Sequence, residues 1–427
     1  IKSKFAKAEE VVAANSGALN AGHAYGETME IGADLAAKPQ QAALPNGTYR
    51  AITGIDAMSL GLAAAATCSG MKLAYCSYPI TPATGLLHGL AKFQAKGVIT
   101  FQAEDEIAAV AAAIGASFGG ALGITGSSGP GIALKAEAMG LAVGAELPLI
   151  VVNVQRAGPS TGLPTKAEQA DLLMAMYGRH GEAPCAILAP ATPAECFQVM
   201  LDAADIALTY MTPVIVLADG YIANAAEPWQ IPDVDSLPDL KPKFHTDPEG
   251  FHPFLRDEKT LARAWAIPGT PGMQHRIGGI ERGANNGHIS YEPENHQQMT
   301  NFRAEKIAGI ANDRPAITPD LGPSSGKLAI VGWGSTYGAI HGAVNELNKD
   351  GKDVAHIHVR QMSPLPRGFE ELLRSYDHIL VPEMNMGQLV KLIRAEYLID
   401  AKGLNQVTGK PFKVGKIKQT ALDMLEN

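Results

Sequence analysis

From Thr48 onward, short apolar runs alternate with longer Ala-rich or amphipathic stretches. Strand-like Tyr49–Thr53 leads to a predicted helix at Asp56–Thr67, then a strand at Leu73–Ser77. A strand at Val98–Phe101 is followed by its own helix, and a strand at Ala121–Thr125 by a helical stretch at Ile132–Glu146. Leu149–Gln155 reads as a strand and Lys166–Tyr177 as helix. Cys185–Leu188 then precedes a helix capped by Thr192 with Pro193 at its first position, and strand Val214–Ala218 closes the set. Strands alternating with helices at this spacing predict an α/β fold with a parallel sheet covered on both faces, here a domain over residues 48–228.

Residues 229–325 break the pattern. Pro, Asp, His and Arg dominate, and Pro268-Gly269-Thr270-Pro271-Gly272 forces turns, so this stretch reads as an irregular connecting or interface segment. Alternation resumes with strand Leu328–Gly332, helix Tyr337–Asn348, strand Val354–Val359, helix Phe369–Ser375, strand Ile379–Val381 and helix Gln388–Leu398. That predicts a second, smaller α/β domain over 326–427. Residues 1–47, rich in Ala, Glu and Asn, read as short helices and a linker ending at Pro45-Asn46-Gly47.

Three turns after predicted strands carry the candidate chemistry: Tyr78-Pro79-Ile80-Thr81-Pro82, Phe101-Gln102-Ala103-Glu104-Asp105-Glu106 and Gln155-Arg156-Ala157-Gly158-Pro159-Ser160-Thr161-Gly162. In an open α/β sheet the carboxyl ends of strands line a crevice, so all three can address one ligand. The helix after Glu104 is expected to bury Ile107, Val110, Ala111 and Ile114, which sets Glu104 against an apolar wall suited to proton transfer. The plain alternative is an N-terminal helix carboxylate, a task Asp105 and Glu106 serve equally well. Thr81 lies on a stiff Pro-bounded turn. Arg156 ends an apolar strand, where a guanidinium holds either a structural carboxylate or a ligand carboxylate. Ser160 and Thr161 add hydroxyls on a Gly/Pro turn. Gly126-Ser127-Ser128-Gly129-Pro130-Gly131 precedes a helix but is neither a Walker loop nor a dinucleotide fingerprint. His356 and His358 share one face of a strand with no third ligand nearby in sequence, so ordinary surface or interface histidines are expected rather than a metal site.

In these phrases, and in Arg-x-Gly-Pro-Ser-Thr-Gly-x-Pro-Thr read through Thr165, the chain resembles the α subunit of the 2-oxoacid:ferredoxin oxidoreductases, most closely the 2-oxoglutarate type. The resemblance runs from about Thr48 to the C-terminus. It implies two thiamine-enzyme-like domains: a pyrimidine-binding-type parallel-sheet domain and a smaller domain like the C-terminal domain of transketolase. It further implies that the first residues are the tail of an additional small domain. By resemblance, Glu104 bonds N1′ of the thiamine aminopyrimidine and promotes loss of the C2 proton. Thr81 and Arg156 face the keto acid, with Ser160 and Thr161 beside them. Tyr78, Pro79, Ile80, Gly126, Ser127 and Ser128 pack near the pyrimidine half of the cofactor.

One expected motif is missing. Thiamine enzymes of this type hold the diphosphate and Mg²⁺ with Gly-Asp-Gly and a downstream Asn. Here Ala218-Asp219-Gly220 is the nearest phrase, and Asn224 follows too closely. The resemblance therefore implies that a β subunit brings the diphosphate, the Mg²⁺ and a [4Fe–4S] cluster, in an α2β2 assembly that uses CoA and ferredoxin. The implied reaction turns 2-oxoglutarate into succinyl-CoA and CO₂. Pyruvate or a branched-chain 2-oxo acid, a catalytically silent subunit, and a stand-alone transketolase-like enzyme are the alternatives. A second substrate carboxylate calls for a second cation, for which Lys166, His180 and Arg303 are candidates.

Composition agrees with a compact, loop-rich enzyme. Of 427 residues 46% are hydrophobic and 18% charged, with 45 Gly and 28 Pro. The net charge of −8 supplies no basic field for nucleic acid. No apolar run approaches the roughly 20 residues of a membrane span, which points to a cytosolic protein. Cys68, Cys76, Cys185 and Cys196 contain no C-x-x-C pair and are expected to be reduced and mostly buried, not cluster ligands. The Ile at position 1 leads to the expectation of an upstream segment.

Overall fold

The computed structural model describes residues 1–29, 44–163 and 165–426. Contacts divide the chain into residues 1–48 and 49–427. Among the described residues of the first unit, one 20-residue helix, Glu9–Thr28, stands where short helices are expected. None of its residues is buried, and Glu9 and Glu10 complement its N-terminal dipole. The linker expected ahead of Pro45 falls largely on 30–43, outside the described residues.

The described residues of the second unit contain thirteen strands. β1 (Tyr49–Thr53) pairs antiparallel with β8 (Ala226–Gln230) in a separate two-stranded ribbon and so stands outside the parallel alternation expected of it. β2 (Leu73–Ser77), β3 (Val98–Gln102), β4 (Leu122–Ser127), β5 (Leu149–Gln155), β6 (Ala186–Leu188) and β7 (Pro213–Asp219) are parallel. With β11 (Gln361–Ser363) they form a seven-stranded sheet ordered β11-β6-β7-β5-β4-β2-β3, in which β11 alone runs antiparallel. β9 (Gly326–Trp333), β10 (Val354–Val359), β12 (Tyr376–Glu383) and β13 (Lys402–Asn405) form a parallel sheet ordered β10-β9-β12-β13.

The physical reason for the central strands is visible in β5, where every residue is buried. Ile150, Val152 and Val154 enter one apolar cluster with helices Gly54–Ser69 and Glu195–Tyr210, while Leu149 and Val151 enter a second on the opposite face. Both faces are covered, which is why the strand reads as a continuous apolar run. The second cluster also contains Val331, Trp333 and Ile357, so the small sheet shares a core with the large one.

Several elements differ from expectation. The stretch expected as helix from Lys166 is helical only over Leu172–Tyr177. The helical stretch from Ile132 is two helices, Gly129–Leu134 and Ala136–Gly144, meeting at Lys135. Glu195 opens the helix expected to start at Pro193, with Thr192 Oγ1 accepting its N–H at 3.3 Å. The connecting segment contains a 17-residue helix, Pro293–Gly309, and the C-terminus adds helix Val414–Leu425. The cysteines are free; three are buried and Cys68 is half-buried. Among the described residues, no helix is long and apolar enough to cross a membrane.

Candidate active site at the carboxyl edge of four adjacent strands

β5, β4, β2 and β3 are parallel neighbours in the sheet, so their carboxyl ends open on one edge. Ser127 aligns with Asn153, and Ser77 with Gln102. At ordinary strand spacing the four ends span about 14 Å. The turns carrying Thr81, Glu104, Ser127 and Arg156 therefore leave from a single rim.

Glu104 is exposed and makes no hydrogen bond or ion pair within the described residues. Asp105, one residue on, is the cap of helix Glu106–Phe118, its Oδ1 accepting the Ala108 N–H at 2.7 Å. The capping task thus falls to Asp105. The expected apolar wall is corrected: Ile107 is 52% exposed and Ala111 is exposed, while the helix buries Ala109, Val110, Ala113 and Ile114. The reason is that β3 is the sheet's edge strand, so its far side has nothing to pack on. Ile99 and Phe101 on that strand are likewise about half exposed, as are Leu134 and, at 39%, Tyr78. Pro79 and Thr81 are exposed and Ile80 half-buried. The turn is closed by Ile80 O, which accepts from Ala83 N and Thr84 N at 2.9 Å.

The turn after β4 is tightly built. Gly126 lies against Tyr75, whose hydroxyl would sit 2.3 Å from a Cβ at that position. Ser127 and Ser128 are fully buried, yet neither hydroxyl has a partner among the described residues. A Cβ on Gly131 would meet Ser127 Oγ at 2.0 Å and Glu106 Oε1 at 2.9 Å, so only Gly lets these two side chains approach. Below them Lys135, 0% exposed, donates to the main-chain oxygen of Glu106 at 2.8 Å. Burial pushes its ammonium down to about 8, against the attraction of Glu106 and Asp105. The sequence pattern does not single out Lys135, and it offers Glu106 only as a carboxylate at the helix start. A lysine amid Gly-Ile-Ala-Leu and Ala-Glu-Ala was the available signal.

Arg156 is half-buried and its Nε has no acceptor among the described residues. The loop beyond it folds back, with Ala157 N–H donating to Lys166 O at 3.1 Å and Leu163 N–H to Ala157 O at 3.2 Å. Gly162, at φ +51°, brings its Cα where a Cβ would strike Ala157 O at 1.8 Å. Ser160 and Thr161 are exposed on this loop. Of the three candidate second cations, the fold-back brings only Lys166 to the base of the Arg156 loop. His180 follows helix Leu172–Tyr177 and precedes β6, which puts it toward the amino edge of the sheet. Arg303 is paired with Glu281 at 3.7 Å. Behind the loop, buried Asn153 donates to Asp171 at 3.0 Å, and Asp171 N–H to Gln155 at 3.0 Å; burial raises the Asp171 carboxyl.

Asp219 is committed elsewhere. It is buried, caps helix Gly220–Asn224 through Tyr221 N–H and Ile222 N–H, and accepts from Ser335 Oγ. The two strand histidines are corrected from surface to core: His356 and His358 are 0% and 2% exposed, 3.3 Å apart, against the rings of Tyr337 and His341. Burial keeps both neutral, His356 falling to about 3. Among the described residues, no group of three or more His, Cys, Asp or Glu is arranged to hold a metal ion.

A free carboxylate, a turn hydroxyl, unsatisfied buried serines and an unpaired guanidinium on one strand-end rim suit a polar, partly anionic organic ligand. A family model described as pyruvate flavodoxin/ferredoxin oxidoreductase, thiamine diP-bdg, matches residues 66–292, which contain every one of these groups. The chain belongs to this family. It is 50% identical over 426 residues to the 2-oxoglutarate oxidoreductase subunit KorA of Mycobacterium tuberculosis, a match covering 99% of this chain and 65% of that relative. The chain thus spans just under two thirds of the length of that relative. The solved 2-oxoglutarate:ferredoxin oxidoreductase from Magnetococcus marinus, with 2-oxoglutarate, coenzyme A and succinyl-CoA bound, superposes with a TM-score of 0.87 at 33% identity. That match covers 99% of this chain and 73% of the other. A split-gene transketolase, at TM-score 0.51 and 12% identity over 88% of this chain and 99% of the other, shares the fold. The α/β architecture is therefore that of the thiamine-enzyme domains, transketolase-like in its overall plan.

The residues present fit half of thiamine diphosphate. Unpartnered Ser127 and Ser128 hydroxyls and the free Glu104 carboxylate suit an aminopyrimidine. Asp219, in the phrase nearest to a diphosphate motif, is consumed by its cap and by Ser335.

Proposed function

We propose that this chain is the α subunit of a 2-oxoglutarate:ferredoxin oxidoreductase, acting with a β subunit in the cytosol. The observation that carries the reading is the single rim on which Thr81, Arg156 and Glu104, unpartnered among the described residues, follow β2, β5 and β3 of one parallel run of strands. The names of the relatives support the choice of substrate.

Bound thiamine diphosphate supplies a carbon nucleophile for the keto carbon and a sink for the electrons left when CO₂ departs. Glu104 holds a proton at the aminopyrimidine ring nitrogen, and Ser127 and Ser128 receive the ring beside Gly126. Arg156 binds the carboxylate next to the keto group in a fork geometry, with Ser160 and Thr161 closing over it. Thr81 donates to the keto oxygen, where negative charge develops. Lys166 answers the distal carboxylate. In balance, 2-oxoglutarate and CoA give succinyl-CoA, CO₂, a proton and two electrons, which pass singly to ferredoxin.

The half-exposed belt of Ile99, Phe101, Ile107 and Leu134 beside Glu104 is the surface the β subunit covers. That subunit brings the diphosphate-binding groups, Mg²⁺ and the [4Fe–4S] cluster, in an α2β2 assembly. The test is CoA-dependent dye reduction by the anaerobically isolated complex, comparing 2-oxoglutarate with pyruvate and branched-chain 2-oxo acids. Preference for 2-oxoglutarate upholds the reading. Preference for another 2-oxo acid keeps the chemistry and discards the specificity. No reduction by a complex shown to hold its cofactor and cluster means a silent subunit.

A further inference from the structure

The connecting segment contains a cavity of about 400 Å³ whose ionisable lining is entirely basic: His252, His275, Arg276, Arg282 and His288, with no carboxylate. Arg282 is the unusual member. It is 8% exposed, its Nε lacks any acceptor, and its guanidinium has no ion-pair partner among the described residues. Other buried cations of this segment have acceptors for most of their donors, although Arg256 Nε and Arg263 Nη2 also lack one among the described residues. Arg256 and Lys306 both pair with Glu146, and Arg263 donates to the carbonyls of Ala145, Glu146 and Ala264. Glu281, adjacent to Arg282 in sequence, accepts the Arg282 main-chain N–H at 3.3 Å and pairs with His296 at 2.6 Å and Arg303 at 3.7 Å, not with the Arg282 guanidinium.

A guanidinium taken out of water without a counter-charge is costly, so it implies a complement from outside the chain. The pocket is also stiffly built. Arg282 pairs with Ile289 across a short bridge closed by Gly283 N–H to His288 O at 2.7 Å. His275 is held through Nδ1 against Met273 O at 2.8 Å and by ring contacts with Phe118 and Phe251, leaving its Nε2 without a partner. A planar fork at the base, an exposed Arg276 and three imidazoles match an oxyanion with more than one negative charge. The volume accommodates a phosphate or diphosphate group together with part of the molecule bearing it.

We propose that this cavity binds a phosphate-bearing ligand, with Arg282 as the buried anchor and Arg276 as the second cation at its mouth. The site is separate from the rim of Glu104, and its binding does not depend on turnover.

The test is titration of pyrophosphate into the purified complex saturated with thiamine diphosphate, so that the cofactor's own diphosphate site is filled. Wild type should bind saturably. Arg276→Ala, at an exposed position, should weaken binding about tenfold. Arg282→Met, which removes the buried charge at similar bulk, should abolish it. Titration of CoA distinguishes the sources. An equal rise in the KM for CoA in Arg276→Ala assigns the pocket to the phosphates of that co-substrate, and an unchanged KM assigns it to a separate phosphorylated metabolite. Wild-type pyrophosphate binding in Arg276→Ala and Arg282→Met, or no saturable binding at all, overturns the proposal. So does dissociation of the complex by Arg282→Met with no phosphate effect from Arg276→Ala, which would mean that a partner's carboxylate fills the pocket.

Discussion

Asp105 Oδ1 accepts the backbone N–H of Ala108 at 2.7 Å, and this bond separates two neighbouring carboxylates into a structural one and a free one. Asp105 holds the start of the helix, so Glu104 is released to meet a ligand. Asp105→Ala is expected to lose about 1 kcal/mol of stability. Glu104→Gln is expected to leave assembly and unfolding temperature unchanged while cutting turnover by about 10²-fold or more. Unfolding curves and steady-state rates on the two variants separate the roles, and near-normal turnover in Glu104→Gln would sink the proposed mechanism.

Lys166 is held at the base of the Arg156 loop by the bond from Ala157 N–H to Lys166 O. The two cations are expected to read different ends of the substrate. Arg156→Met should raise KM for every 2-oxo acid, whereas Lys166→Ala should raise it about tenfold for 2-oxoglutarate and little for pyruvate. A uniform effect of Lys166→Ala on both substrates would remove it from the specificity pocket.

The elements legible in the sequence are those whose environment is set by the sheet itself. β2 and β5 fall on their expected bounds because each lies between parallel strands, and β10, although it ends its sheet, is buried along its whole length; their apolar runs record that burial. Where long-range bonds decide, the sequence misleads. Residues before Leu172 are held extended by Gln169, whose amide donates to Trp333 O and whose side-chain oxygen receives Met384 N–H, partners far away in sequence. β11 is three residues long and is strand only because Ala186–Leu188 offers it an edge. The site shows the same division. The turns announce themselves through Pro, Gly and charge. The exposure of Ile107 depends on β3 being an edge, which a helical period alone does not reveal.

Gly131→Ala tests the close approach of Glu106 and Ser127. The new methyl would meet Ser127 Oγ at 2.0 Å, and side chains must rotate to admit it. Because both obstructing groups are side chains, the fold should survive with a loss of about 1–3 kcal/mol. Retention of thiamine diphosphate through gel filtration should fall disproportionately. Normal retention would place the Ser127 turn outside the cofactor site.

Glu146 is buried among Arg256, Lys306 and the main-chain bonds of Arg263. Burial alone would raise its carboxyl, but Lys306 and Arg256 prevail and hold it at about 2, below its ordinary 4.5. A depressed carboxyl contributes stability that is whole above the ordinary value and is lost as pH falls through 4.5 toward 2. Glu146→Gln should therefore cost about 3 kcal/mol or more at neutral pH, since it strands buried cations. Its difference from wild type should shrink in acid. A difference constant from pH 6 to 3 would refute the electrostatic account.

Lys135 carries a dependence of the same direction in a higher pH window. Its ammonium is buried at the junction of two short helices, with Glu106 O as its acceptor, and burial lowers it from 10.5 to about 8. Between those values the unfolded chain keeps a proton that the folded chain has released, so raising the pH favours the fold. Lys135→Met has no such proton. Wild type should therefore gain stability relative to Lys135→Met as pH rises from 8 toward 10.5, having carried the cost of a buried cation at pH 7. The same variant loses the tie between the Glu106 turn and the helix junction, so its cofactor retention should fall even where its stability matches or exceeds wild type. Denaturation of both proteins at pH 7, 8.5 and 10 decides the point. Parallel curves would mean that Lys135 is solvated, and a loss of cofactor without any change in the pH slope would mean that it acts through its chain packing rather than its charge.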